Sequence, residues 1–312
     1  MSLLRFKCVC KSWCVLISSQ NFITRHLLHN QTISNKNKNG SLLLLQRSSH
    51  NYVFAKLPYE TLEISSTQVL PSLYSGFDMK AGVDIIGSFN GLVCLHVEWY
   101  NIILWNPATK ETKVVPKSRI SYPQSKTGLL DLGFGFDIKT NDYKVVMILN
   151  ADDYSNPELT FLERKNFNIA EVYCLSTNSW KKVHAWVPDK FVSYNRHRTY
   201  TKGMFSWCGH CSDDYLPCIL SFDMSNELFL RTTIPDDSAV GYCHYSWRRF
   251  FVLNELVSLV IFIEDIEQSE SCIHIWSLLE FGVRDSWTKL FTIGPLMRID
   301  RPFGFLKNNS ML

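Results

Sequence analysis

Three cysteines and a histidine form the grouping in this sequence that most resembles a metal site. Cys208-Gly209-His210-Cys211 has a Cys-x-x-Cys spacing, and Cys218 follows seven residues later. Such a pair is half of a structural zinc site, because zinc takes four ligands in a tetrahedron. A second matched pair is lacking, although Cys243-His244 could in principle complete the set. We therefore expect no structural metal and no cofactor.

The sequence offers no recognisable catalytic motif. Gly133-Phe134-Gly135 lacks the third glycine of a phosphate-binding loop, and no helical pattern follows it. The nine histidines are scattered, and neither a Gly-x-Ser-x-Gly elbow nor a His-Glu-x-x-His motif occurs. A propeller hydrolase stays a weaker alternative, since catalytic residues can come together from distant positions. We expect a protein that carries out no chemistry.

Acidic side chains in polar segments suggest a second kind of site, one that attracts a basic partner by long-range electrostatics. Loops carry binding residues while strands hold the scaffold, so we expect a target-binding site in the segments 118–126, 150–158, 189–198 and 264–271. The competing interpretation is that these charges are simply solvated. The candidate residues are Asp152, Asp153, Asp213, Asp214, Glu264, Asp265 and Glu267.

The overall charge points to no particular partner. Lys and Arg number 32 against 29 Asp and Glu, and no run of five like charges suggests a nucleic-acid arm or a membrane-binding patch. Apolar stretches are shorter than the roughly 20 residues of a transmembrane helix. Arg5, Lys7 and Lys11 interrupt the first apolar residues, which is unlike a signal peptide. We therefore expect a cytoplasmic or nuclear protein with reduced cysteines, binding neither nucleic acid nor membrane.

The sequence predicts two regions of different secondary structure, one helical and one β-rich. Apolar residues recur at three- and four-residue steps near the N-terminus, which predicts helical segments there. The polar, asparagine-rich residues 30–40 are typical of a linker. We therefore predict a short helical region at 1–29, a linker at 30–40 and a β-rich domain at 41–312. The helical apolar residues are Leu3, Leu4, Phe6, Val9, Trp13, Leu16 and Ile17.

The β-rich region reads as a series of hairpins. Short apolar or aromatic runs alternate with polar turns at 106–110, 139–142, 176–179 and 223–226. If Thr109, Thr177 and Ser225 are equivalent turn positions, they stand 68 and 48 residues apart, which is a loose repeat with a period near 50. That spacing favours propeller blades of about four strands each. A β-sandwich remains open as the alternative, because it too has short strands with turn signals.

Several motifs resemble those of a known family. Leu-Leu-Arg-Phe-Lys-Cys-Val-Cys-Lys-Ser-Trp at 3–13 resembles the second half of a plant F-box. Five further motifs look like successive signatures of the F-box-associated (type 1, kelch-like) domain. They are Gly-Ser-Phe-Asn-Gly-Leu-Val-Cys-Leu at 87–95, Leu-Trp-Asn-Pro-Ala-Thr at 104–109, Gly-Phe-Gly-Phe-Asp at 133–137 with Asn-Asp-Tyr-Lys-Val-Val at 141–146, Glu-Val-Tyr at 171–173 with Ser-Thr-Asn-Ser-Trp at 176–180, and Ser-Trp-Thr-Lys-Leu at 286–290.

The resemblance implies a fold and a set of partners. It implies a mainly β, kelch-like propeller behind an α-helical F-box remnant, with the first F-box helix and the final propeller strands missing from the sequence. F-box proteins recruit targets to a Skp-cullin-F-box ubiquitin ligase, so the implied partners are a Skp-type adaptor, a cullin-RING ligase and a protein target. The adaptor-binding candidates are Leu3, Leu4, Val9 and Trp13, some of which could instead pack the F-box core.

The residues 287–296 narrow the resemblance further. Trp-Thr-Lys-Leu-Phe-Thr-Ile-Gly-Pro-Leu is similar to the S-locus F-box proteins of the rose family, which act in pollen recognition of stylar ribonucleases. This branch implies a basic ribonuclease as the target in self-incompatibility. A truncated or inactive relative, which binds a protein target without docking to the ligase, is the alternative function.

Overall fold

The chain is described by a computed structural model. It covers residues 6–19, 21, 22, 25, 41–47, 52–58, 64–69, 82–97, 101–119, 125–153, 166–188, 191–211, 217–235, 247–265 and 270–296. The predicted linker at 30–40 lies outside these residues. Within the described ranges no helix is long and apolar enough to cross a membrane.

One α-helix, α1 at Lys11–Ser18, precedes nineteen strands in the described part of the chain. The strands are β1 Ser41–Arg47, β2 Tyr52–Pro58, β3 Ser66–Val69, β4 Val83–Phe89, β5 Leu92–Val97, β6 Asn101–Asn106, β7 Glu111–Val114, β8 Ser125–Asp137, β9 Asp142–Asp153, β10 Asn166–Cys174, β11 Ser179–Lys182, β12 Phe191–Thr201, β13 Met204–Cys211, β14 Pro217–Asp223, β15 Leu228–Thr233, β16 Trp247–Leu253, β17 Leu256–Asp265, β18 Glu270–Leu278 and β19 Trp287–Leu296. A short 3-10 helix, Arg284–Ser286, precedes β19.

Consecutive strands form five antiparallel sheets. The first sheet contains β1 to β3, and each of the next four contains four strands in chain order: β4 to β7, β8 to β11, β12 to β15 and β16 to β19. A series of four-stranded meanders, each packed on the next, is the blade pattern of a propeller and not the two facing sheets of a sandwich. The predicted mainly β, propeller-like fold is therefore confirmed.

The first strands of the four-stranded sheets end at one common face of the domain. Phe89 at the end of β4 has its ring centroid 5.5 Å from that of Phe136 on β8 and 5.1 Å from that of Tyr200 on β12. The hydroxyl of Thr201, the last residue of β12, donates to the carbonyl of Glu255 in the turn after β16 at 2.9 Å. We call this end of the sheets the turn face.

Tight turns between third and fourth strands also lie on the turn face, at the positions predicted from the sequence. Asn106 Oδ1 accepts a hydrogen bond from the backbone N–H of Ala108 at 3.0 Å, and Asp223 Oδ1 accepts one from Ser225 at 2.8 Å. Such side-chain bonds favour Asn and Asp at the start of a turn. Asn178, in the equivalent turn between β10 and β11, adopts a left-handed φ of 50°. These turns are structurally equivalent, as the loose repeat predicted.

The opposite end of the sheets is where the second strands finish and the third strands begin. Because neighbouring strands are antiparallel, β5, β9, β13 and β17 all end there, and β6, β10, β14 and β18 all start there. We call this end the binding face, since it carries the predicted target-binding segments.

Two glycines of the Gly-Phe-Gly-Phe-Asp motif let the third sheet contact the fourth closely. A Cβ atom on Gly133 would lie 2.7 Å from Trp207 Cζ2 and 2.8 Å from Phe205 Cδ1, and both rings are fully buried. The Trp207 indole also donates to the Leu132 carbonyl at 3.0 Å, which fixes its position. Gly135 has the same role beside Tyr200. The motif is therefore a packing surface and not a phosphate-binding loop.

A buried lysine joins the same two sheets at the turn face. Lys144 Nζ lies 2.7 Å from Asp137 Oδ2, from Glu227 Oε1 and from the Met224 carbonyl. Burial alone would raise the pKa of Asp137. Hydrogen bonds from Lys144, Thr140 and Ser225 outweigh burial and hold that pKa well below its usual range. The network explains the aspartate at the end of the 133–137 motif and the lysine in the 141–146 motif, because the two side chains pair with each other.

The glycine contact predicts a site-specific loss of stability. Gly133→Ala should lower the free energy of unfolding by about 1–3 kcal/mol, because the added methyl must displace two immobile rings. Gly128→Ala is the matched control in the same strand, since no atom lies within 4 Å of its added Cβ. Urea unfolding of both variants measures the difference. Equal stability of the two variants would contradict the close approach.

The buried carboxylate predicts an acid-sensitive contribution to stability. Because the pKa of Asp137 is lower in the folded protein than its unfolded value of about 3.9, ionised Asp137 stabilises the fold at neutral pH. That contribution should be fully present above about pH 5, should begin to fall as the pH drops through the unfolded pKa, and should be lost only below the lower pKa of the folded state. Asp137→Asn should be less stable at pH 7 and should lose less further stability on acidification than the wild type. Exposed Asp285→Asn is the control, and an unchanged pH profile for Asp137→Asn would refute the assignment.

Candidate adaptor- and target-binding surfaces

The N-terminal helical segment presents apolar side chains to solvent. Val9 is 65% exposed and Trp13 is 46% exposed, while Ile17 is buried. Trp13 packs on Phe6 with ring centroids 5.4 Å apart. Leu16 is also exposed. Two of the four predicted adaptor-binding residues thus remain accessible to another protein.

The helix itself is short and closed by local hydrogen bonds. The Cys14 backbone N–H donates to the Cys10 carbonyl at 3.0 Å, and the Ser19 hydroxyl donates to the Leu16 carbonyl at 2.7 Å. Ser19 Oγ also accepts a hydrogen bond from the Phe22 N–H at 3.3 Å. This is an N-cap contact toward the residues that follow α1. The other two candidates, Leu3 and Leu4, lie outside the described residues.

Four predicted target-binding residues do not lie in loops, so that part of the prediction is wrong. Asp152 and Asp153 end β9, and Glu264 and Asp265 end β17. Their segments pair with neighbouring strands, as in Asp153 with Ser125. Backbone pairing of the long hairpins extends the strands beyond their apolar core and into these polar residues. Both strands end at the binding face, so the topology still brings the four residues to one end of the domain.

The remaining acidic candidates are not located by the structure. Asp213, Asp214 and Glu267 lie outside the described residues. The strands that flank Asp213 and Asp214 are β13, which ends at the binding face, and β14, which begins there. Glu267 follows β17 and precedes β18 in the chain.

The segment 189–198 was predicted as a loop, and this too is wrong, because β12 runs through it. Arg198 on β12 carries a guanidinium that is only 10% exposed and lies between the first strands of three sheets. Its Nη1 lies 3.1 Å from Asp131 Oδ1 on β8, and its Nη2 pairs with Asp84 on β4. Nη2 also donates to the Ile85 carbonyl at 3.3 Å. The Arg198 side chain can lie here because two carboxylates and a backbone carbonyl pair with its guanidinium.

Sequence reasoning missed this three-strand ion bridge, although one signal was present. Asp84 and Asp131 each stand five residues before an aromatic residue, Phe89 at the end of β4 and Phe136 one residue before the end of β8. Both carboxylates thus lie on the first strand of a four-stranded sheet. The arginine had no such marker, because a bulge between Ser193 and Arg198 shifts the register of β12.

Two cysteines of the possible metal site lie in the core. Cys208 and Cys218 are buried on neighbouring strands β13 and β14, as expected for small core residues. Burial raises the pKa of the Cys94 thiol far above its usual value, against the opposing charge of Arg198, so the reactive thiolate is disfavoured. In the part of the chain that the structure describes, no cluster of three His, Cys, Asp or Glu could hold a metal ion.

Sequence comparison finds one domain family and several related plant proteins. The model of the F-box associated β-propeller domain matches residues 51–312. The F-box/kelch-repeat protein At3g23880 of Arabidopsis thaliana is 26% identical over 311 residues, covering 96% of this chain and 77% of that protein. The F-box protein CPR1 of the same plant is 25% identical, covering 94% of this chain and 69% of its own length.

Similarity to solved structures is weak by contrast. Dipeptidyl peptidase 4 of Porphyromonas gingivalis aligns with a TM-score of 0.40 and 10% identity. The alignment covers 87% of this chain, which spans only 40% of the peptidase chain. A similarity this low does not extend to activity. Because the family model spans the greater part of the sequence, the chain belongs to the F-box associated β-propeller family of plant F-box proteins.

Proposed function

We propose that this chain is the target-recognition subunit of a Skp-cullin-F-box ubiquitin ligase, which is the general role of F-box proteins. Its helical segment binds the Skp-type adaptor, and its propeller holds the protein to be ubiquitinated. The observation that carries the proposal is the exposure of the apolar side chains of Val9 and Trp13. The chain supplies proximity: it holds target lysines near the conjugating enzyme, which does the chemistry.

The physics of α1 supports docking to another protein. An isolated helix of eight residues is marginal in water, because helix nucleation is costly and roughly 12–15 residues are needed to offset it. Exposed apolar side chains on so short a helix gain free energy only when a partner covers them. Helix-in-groove binding takes such side chains as anchors, and aromatic anchors contribute most.

The propeller supports target binding through its rigidity. Tight turns and the Lys144 network fix the turn face, whereas two of the second strands, β9 and β17, continue into polar residues at the binding face. The ends of β9 and β17 carry Asp152, Asp153, Glu264 and Asp265. Acidic strand ends favour a basic target by attraction at a distance. A basic stylar ribonuclease fits this charge, and the likeness of residues 287–296 to S-locus F-box proteins supports the same choice.

The adaptor interface predicts a large effect of one side chain. Trp13→Ala should weaken binding of the full chain to a purified Skp adaptor by roughly 30-fold, the loss expected for a buried aromatic anchor. Thermal stability of the propeller should not change, because Trp13 is half exposed and its ring packs on Phe6 of the same N-terminal segment. Titration by surface plasmon resonance measures the affinity.

A matched control separates docking from a general loss of apolar surface. Ile138 is 73% exposed in the turn between β8 and β9, at the turn face, so Ile138→Ala should leave adaptor affinity unchanged. Adaptor affinity that is equal for wild type and Trp13→Ala would remove Trp13 from the interface. No measurable adaptor binding by the wild-type chain would favour a relative that binds targets without the ligase.

The acidic strand ends predict salt-sensitive target capture. Association of the chain with a purified basic stylar ribonuclease should slow several-fold when NaCl rises from about 50 to 200 mM, as salt screens exposed charges. Asp152→Lys with Asp153→Lys should reduce the association rate in low salt and flatten its salt dependence. Asp285→Lys, a reversal near the turn face, is the control. Rates independent of both salt and the β9 reversal would exclude electrostatic steering by these residues.

A further inference from the structure

The fifth sheet holds a cysteine, a histidine and a lysine in contact with one another. Cys272 and His274 stand two residues apart on β18, so their side chains lie on the same face of the sheet. Cys272 Sγ lies 3.7 Å from His274 Nε2, and Lys289 Nζ on β19 lies 3.2 Å from His274 Nδ1. The three side chains therefore form a line of contacts from an ammonium group to a thiol.

Lys289 fixes which nitrogen of the imidazole carries the proton. An ammonium group has three hydrogen-bond donors and no acceptor, so Lys289 can only donate to His274 Nδ1. Nδ1 must then be the unprotonated nitrogen of a neutral imidazole, and Nε2 carries the hydrogen. That N–H faces Cys272 Sγ across 3.7 Å, so the sulfur accepts a hydrogen bond from the ring.

Neighbouring side chains hold this line of contacts in place. Lys289 Nζ lies 5.0 Å from the centroid of the Trp276 ring, which is a cation–π contact. Trp276 pairs with Lys289 across β18 and β19, at a point where the register of the two strands shifts. His274 is only 7% exposed, which restricts rotation of its ring. The position of the ammonium group is thus set by two paired strands.

The contacts favour the thiolate form of Cys272. A hydrogen-bond donor and a positive charge near a cysteine stabilise its thiolate, which is the nucleophilic form. His274 supplies the donor and Lys289 supplies the charge behind it. Cys272 is half-buried, so solvent still reaches its sulfur. Cys174 provides a contrast, because it is also half-buried and burial raises the pKa of its thiol.

The surroundings of the thiol restrict the class of reagent that reaches it. Glu264 and Asp265 end β17, and Glu270 begins β18 at the binding face, while the residue paired with Cys272 on β17 is the apolar Ile263. The fourth sheet packs on the same face through apolar side chains. The acidic strand ends repel an anionic reagent. They do not repel hydrogen peroxide, which is small and uncharged.

We propose that Cys272 is a modification site for hydrogen peroxide, with His274 and Lys289 as the residues that stabilise its thiolate. The thiol proton leaves to solvent, because His274 Nε2 already carries one. The thiolate sulfur attacks one peroxide oxygen, so an S–O bond forms and the O–O bond breaks. Sulfur loses two electrons and becomes a sulfenic acid, while the leaving hydroxide takes up a proton and becomes water. The proposal does not depend on the ligase role.

The test follows alkylation of each cysteine of the full chain by iodoacetamide between about pH 5 and 10, with mass spectrometry as the readout. Exposure scales the rate at every pH but does not move the midpoint of the profile, so the midpoint reports the thiolate. The Cys272 midpoint should lie below that of the unfolded chain in urea, and the Cys174 midpoint above it. After exposure to hydrogen peroxide, dimedone should label Cys272 at least about tenfold faster than Cys174.

Variants of the lysine test its part in positioning the imidazole. Lys289→Met should raise the Cys272 midpoint, whereas Lys289→Arg keeps a charged donor and should retain the low midpoint. Lys113→Met is the matched control, since Lys113 is an exposed lysine on the outer strand β7 of the second sheet, and it should leave the Cys272 midpoint unchanged.

Three results would overturn the proposal. A Cys272 midpoint at or above that of the unfolded chain would mean that the fold does not stabilise the thiolate. Equal dimedone labelling of Cys272 and Cys174 would exclude a selective reaction with peroxide. A low midpoint that Lys289→Met leaves in place would exclude the contribution of the lysine. The first two measurements use the wild-type chain, so they decide the question even if a variant fails to fold.

Discussion

The arrangement of the sheets depends on one buried cation. Arg198 on β12 meets Asp131 on β8 and Asp84 on β4, so a single guanidinium joins the first strands of three sheets. Removing one partner of a buried ion pair costs about 3–5 kcal/mol, whereas the intact pair adds little net stability over apolar packing. The bridge is therefore better understood as a constraint on geometry. Only an arrangement in which three strands meet at one level satisfies all three charges.

Further contacts hold the same sheets together at the turn face. At the turn face, Lys144 and the aromatic cluster of Phe89, Phe136 and Tyr200 continue the contacts between sheets. At the binding face, two of the second strands end in acidic residues: β9 ends with Asp152 and Asp153, and β17 ends with Glu264 and Asp265.

The sequence allowed the hairpins to be predicted but not their lengths. Turns such as Asn106-Pro107-Ala108-Thr109 carry local signals, because the side chain of Asn106 bonds to the backbone within its own turn. The end of β9 carries no such signal. Asn150 to Asp153 look like a loop by residue type, and they become a strand because they pair with residues 125–128 of β8 and with residues 166–168 of β10. Arg198 was missed for the same reason, since its partners stand 67 and 114 positions away in the chain.

The residues that this protein shares with its family act in the scaffold of the domain. The motifs that identify the family are turn residues, ring-packing glycines and the Lys144 network, and all of them act inside the scaffold. On the function proposed above, target choice falls to residues outside these motifs, such as the acidic ends of β9 and β17. Such positions can change while the scaffold is kept, because the strands and the buried core hold the scaffold together.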